Sequence, residues 1–129
     1  MLKKAALVWG ILFLVIGIAG FVPGFTSTDS MGMKTLLGLF MVNGVHNMVH
    51  LLTGAASLVS SKSEKWSRMY FQLFGIVYAL VTLIGFFIGT GHYVLGIIPV
   101  NTADNFLHLG ITLVTLYLGF GYMPKQSRG

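Results

Sequence analysis

The chain has 129 residues, one domain's worth, of which 55% are apolar and only 9% charged, about a third of the charged share of a soluble domain. So apolar a composition excludes intrinsic disorder and, with a mean hydropathy of +0.83, argues against a soluble globular fold. The lack of cysteine excludes disulfides, thiol catalysis and iron–sulfur ligation. The net charge of +5 is scattered between apolar stretches rather than gathered on a face for nucleic acid.

A bilayer core about 30 Å thick is crossed by about 20 apolar helical residues. Residues 5–22 carry no charge and stop at Pro23-Gly24, a helix-ending pair. Residues 35–59 predict a second span, free of Lys, Arg, Asp and Glu and ending before the polar run Lys62-Ser63-Glu64-Lys65. Residues 67–88 form a third, broken off by Gly89-Thr90-Gly91-His92. Residues 104–122 form the fourth, closed by Pro124. The expected fold class is all-α: an integral membrane four-helix bundle, one membrane domain over residues 1–129.

Lys3, Lys4, Lys62, Lys65, Arg68, Lys125 and Arg128 fall at the two ends and in the second loop, against Lys34 alone in the other two loops. This bias places both termini in the cytoplasm. The first apolar run is longer than a usual signal-peptide core and no small-residue cleavage motif follows it, so a retained helix is expected.

Residues 38–51 and 96–109 match at an offset of 58, with six of fourteen positions identical, including Asn43/Asn101, Asn47/Asn105 and His50/His108. His46 stands opposite Asp104. The first and third spans match more thinly at the same offset, through Phe13/Phe71, Gly17/Gly75 and Ile18/Ile76. With two spans between copies, the halves run the same way. The repeat is therefore parallel, with a pseudo-two-fold axis along the membrane normal.

Asn43, His46, Asn47, His50, Thr53 and Ser57 share one face of the second span, and Asn101, Asp104, Asn105, His108, Thr112 and Thr115 share one face of the fourth. Polar side chains are expensive against lipid, so the two stripes face each other inside the bundle. The offset sets His50 level with His108 and His46 level with Asp104; counting from the cytoplasmic anchors sets His46 level with His108, but the offset is preferred because helix ends are the least reliable boundaries. His-x-x-x-His and Asp-x-x-x-His put two ligands on one helical face. His46, His50, Asp104 and His108 thus form a candidate site for a transition-metal ion, zinc before iron or copper. Asn43, Asn47, Asn101 and Asn105 would orient those ligands from outside.

Two other readings stand beside this one. The polar cluster fixes helix packing, at about 1 kcal/mol or less per hydrogen bond, or it serves as a proton relay or a haem site. Bis-histidine haem on His50 and His108 leaves His46 and Asp104 without a role. No Walker loop, nucleophile elbow or H-E-x-x-H motif supports an enzyme class. Gly20-x-x-x-Gly24 and Gly85-x-x-x-Gly89 are candidate close-packing faces. Trp9, Trp66, Tyr70 and Tyr122 are expected at headgroup level.

The motif N-x-x-H-N-x-x-H-L-x-x-G at 43–54, followed by N-x-A-D-N-x-L-H-L at 101–109, resembles a family of small bacterial four-helix membrane proteins catalogued as a domain of unknown function. The resemblance implies a multi-pass protein of the bacterial inner membrane and implies no activity. The expected partner is the lipid bilayer, with a homo-oligomer or another membrane protein as further candidates and no nucleic acid.

Overall fold

The computed structural model describes residues 1–123. It is mostly helical, with four long helices: α1 (Leu2–Ala19), α2 (Gly44–Ser60), α3 (Glu64–Ile88) and α4 (Thr102–Leu116), the last running into a wider π turn at Tyr117–Gly121. α1 and α3 are long and apolar enough to cross a membrane. Pro124, Lys125 and Arg128, used above to close and orient the fourth span, lie outside the described residues.

Each helix start has its free N–H groups met by a side chain, as helix ends require. Glu64 accepts from the backbone of Leu2 (3.2 Å) and Lys3 (3.4 Å). Asn43 caps α2 by accepting from His46 N at 2.7 Å, and Ser63 caps α3 from Trp66 N at 3.0 Å. At α4, Asn101 and Asp104 form a reciprocal capping box. At the other end of α4, the Arg68 guanidinium donates to the carbonyls of Gly119 (3.1 Å) and Tyr122 (3.0 Å). These contacts gather the N-terminus, the α2–α3 turn and the end of α4 at one end of the molecule, with Lys3, Lys4, Lys62, Lys65 and Arg68.

The opposite end adds short strands to the expected helices. Residues between α1 and α2 form an antiparallel meander of β1 (Thr26–Thr28), β2 (Lys34–Leu36) and β3 (Phe40–Met41), and those between α3 and α4 form a hairpin of β4 (His92–Val94) and β5 (Ile98–Val100). The second helix therefore begins at Gly44, not at residue 35. A short apolar run reads equally as helix or strand, and here a turn decides. Leu37 and Gly38 both take positive φ (55° and 70°) and Leu39 N bonds Leu36 O at 3.0 Å, a type I′ hairpin turn that no helix can contain.

The 58-residue offset recurs in this backbone. Leu36↔Phe40 pairs as Val94↔Ile98 does, and Leu95 and Gly96 repeat the positive φ at 53° and 73°. The two capping asparagines reach across to the opposite hairpin: Asn43 Nδ2 donates to Ile97 O (2.9 Å) and Asn101 Nδ2 to Leu39 O (2.8 Å). Ile97 and Leu39 are themselves 58 residues apart. The two halves are clasped by one bond in each direction.

α1 lies along α2, and α3 along α4. Glycine lets α1 and α2 touch backbone to backbone: a Cβ on Gly54 would sit 2.8 Å from the Gly10 carbonyl oxygen, and one on Gly10 would sit 2.8 Å from that of Gly54. Of the glycine pairs expected to pack, Gly20 and Gly85 lie against the Asn47 and Asn105 side chains, while Gly24 and Gly89 meet nothing. Tyr70 is buried rather than at headgroup level, because it lies on the inward face of α3 and donates its hydroxyl to Thr53 O at 2.9 Å. Trp9 also packs inward, 5.4 Å from Phe13 and 6.2 Å from Phe71 between ring centroids.

The polarity of the helices is inside out. Leu12, Val15, Leu52, Leu73, Leu83 and Leu113 are exposed, whereas Asn47, Thr53, Ser57, Thr112 and Thr115 are buried. Buried threonines spend their hydroxyls on their own helix, Thr112 on His108 O (2.8 Å) and Thr115 on Ile111 O (2.7 Å). A packing test follows from the glycine contact. Gly54→Val should destabilise the protein by about 1–3 kcal/mol through overpacking, read as a lowered thermal midpoint in detergent. Gly110→Ala, where nothing lies within 4 Å, should not lower it.

Candidate metal centre

The stripe residues of α2 and α4 meet just beneath the two hairpins. His46 lies in the first turn of α2 and His50 one turn further, so their rings meet edge-to-face on one side of the helix with centroids 4.6 Å apart. His108 comes from the second turn of α4, its ring 5.8 Å from His46 and 6.5 Å from His50. It stands against both levels rather than opposite His50 alone. One ligating nitrogen from each of the three rings lies within 4.8 Å of the others, and all three residues are buried. This group could hold a metal ion.

The ring of His46 is fixed by its own chain. Its Nδ1 lies 3.0 Å from Met41 O. A carbonyl only accepts, so in the neutral ring Nδ1 carries the proton and Nε2 keeps its lone pair. That Nε2 is buried and has no hydrogen-bond partner among the described residues, and the same holds for Nδ1 of His50 and Nδ1 of His108. An unmet buried polar atom costs roughly 1–3 kcal/mol. Aromatic neighbours hold the other two rings: Phe13 meets His50 edge-on at 5.5 Å, and Tyr78 lies 5.8 Å from His108.

The structure does not bring Asp104 into this group. Its Oδ2 accepts from Asn101 N at 3.0 Å and from Met41 N at 2.9 Å. The Asp-x-x-x-His spacing puts carboxylate and imidazole on one face, but at the third helical position the carboxylate turns back to cap the helix. Asn-x-x-Asp ahead of an apolar run was the signal for this use. The asparagines also differ from their expected role. Asn43 and Asn101 are caps that clasp the opposite hairpin, and Asn47 and Asn105 lie against Gly20 and Gly85 with their Oδ1 atoms buried and unpartnered.

Met41, which the sequence does not single out, connects these pieces. Its N–H goes to Asp104 and its carbonyl to His46, so the carboxylate steadies the imidazole through one residue of backbone. Such outer partners set ligand orientation in metal sites. A contact made by backbone leaves no residue-type signal. Asp104→Ala strands Met41 N and Asn101 N and should cost about 2–4 kcal/mol. Asp104→Asn keeps an acceptor and should cost less than half as much, measured by thermal unfolding in detergent.

No curated protein and no solved structure matched the chain. One family model does, and it covers residues 3–121. The chain thus belongs to the family described as "Domain of unknown function (DUF4383)".

Proposed function

We propose that this protein is a four-span membrane protein of the bacterial inner membrane that holds one transition-metal ion on His46, His50 and His108. The observation that carries the metal reading is the convergence of three buried imidazoles, each with a buried nitrogen that no protein group meets. Isolated packing histidines find partners; three that each leave a buried nitrogen unmet and bring one ligating nitrogen apiece within 4.8 Å of the others are arranged for a ligand they share. Without thiolates, three imidazoles suit zinc, copper, iron or nickel. Zinc is favoured, since tetrahedral Zn–N bonds of about 2.0–2.1 Å put ligand nitrogens about 3.3 Å apart, within a modest ring adjustment of the 4.8 Å limit here. Haem fits less well, because the His46 ring, 4.6 Å from His50 and 5.8 Å from His108, takes the space a porphyrin between those two would need.

The four-span reading is supported by the apolar exterior of all four helices and by the polar residues buried on α2, α3 and α4, the reverse of a soluble bundle. α2 has only 17 residues, about 25 Å of helix, and α4 gains length from its π turn. The five described cations at the end opposite the hairpins support cytoplasmic termini, which puts the metal centre in the outer half of the bilayer.

Elemental analysis of the detergent-purified protein should find about one zinc, iron or copper ion per chain and no Soret band. His50→Ala and His108→Ala should each remove the ion and lower the thermal midpoint together, because ligand binding adds to folded-state stability. Metal at background level in the wild type would refute the reading. Topology is tested separately: reporter fusions at Ser63 should report cytoplasm and those at Ser30 the exterior, and the opposite result would invert the model.

A further inference from the structure

A cavity of about 80 Å³ lies against the three imidazoles, between α2 and α3, with Val49, Val77 and Val81 forming its apolar wall. No carboxylate and no cation is among the described residues lining it. Two consequences follow once an ion sits on the imidazoles. Three protein ligands leave a tetrahedral ion with one position free. Three neutral imidazoles also leave a divalent charge uncompensated in an interior that penalises net charge heavily. The nearest carboxylate, Asp104, is committed to two backbone N–H groups.

We propose that the free position opens into this cavity and takes an exchangeable small monoanion, hydroxide where nothing else is supplied. This rests on the metal site proposed above. The volume is ample for a small ligand: on the same measure one water needs about 10–15 Å³, so 80 Å³ accommodates a small anion. The charge sets the class: an anion reduces the ion's net charge, and besides the imidazoles the described lining offers it only the hydroxyls of Tyr78 and Thr53, already bonded to each other at 3.3 Å. The exchange is a ligand substitution, in which one donor leaves the metal as another arrives, with no change of oxidation state.

Cobalt(II) loaded in place of the native ion makes the position visible, because its d–d bands shift with coordination. Sodium azide, a linear three-atom anion, is the probe. Titration of the cobalt protein should change the visible spectrum saturably, with one azide per cobalt. Val81→Phe and Val49→Phe fill the cavity from different helices. Each should keep about one cobalt per chain while weakening azide roughly tenfold or more, a loss of about 1.4 kcal/mol or more. Bound, histidine-dependent cobalt whose bands ignore azide would overturn the proposal, as would unchanged azide affinity in both filled variants. Failure of the wild-type protein to bind cobalt at all would instead refute the metal site itself, and this inference with it.

Discussion

The backbone of Met41 is the joint on which the interior depends. It lies at the end of β3, donates its N–H to Asp104 on α4 and accepts at its carbonyl from Nδ1–H of His46 on α2. Within a low-dielectric interior such hydrogen bonds are strong when made and costly when lost. The hairpin is thereby locked to both helices that carry the histidines, and His46 is held in the tautomer that leaves Nε2 open. Remove the joint and the cap, the ring and the capping box loosen together.

Around that joint the two halves are alike without being identical. Both hairpins turn through leucine and glycine with positive φ, and both capping asparagines cross to the opposite hairpin. Two of the departures from the repeat bear on this site. Asp104 replaces His46, and Pro99, which has no N–H to offer, replaces Met41. The carboxylate then finds its donor in the first half, where Met41 has one. The departures match each other, and the outcome is a three-imidazole centre rather than a four-imidazole one.

Much of this was legible in the sequence because it rests on periodicity. The helical regions, the 58-residue offset and the inward polar faces all follow from spacing, and His46, His50 and His108 meet as those faces predict. What could not be read is local competition. Thr35 to Val42 is apolar enough for a helix, and only the Leu37-Gly38 turn assigns it to strands. Asp104 shares a face with His108, and only the capping geometry withdraws it from the ligands. Tyr70 resembles an interfacial tyrosine until its helix face is known. Met41 acts through backbone, which no residue pattern records.

The crossed bonds of Asn43 and Asn101 carry one more consequence. Each half contains two helices and one hairpin turn of the same geometry, so a second copy follows the first in the same sense without an additional connecting helix. A half-length ancestor could assemble as a symmetric pair using the same asparagine clasp, each copy supplying the carbonyl that the other needs. Fusion of such a pair frees the two copies to diverge. The substitution pair His46/Asp104 is what that freedom permits: one copy keeps an imidazole in the cluster while the other spends the equivalent position on holding the roof in place.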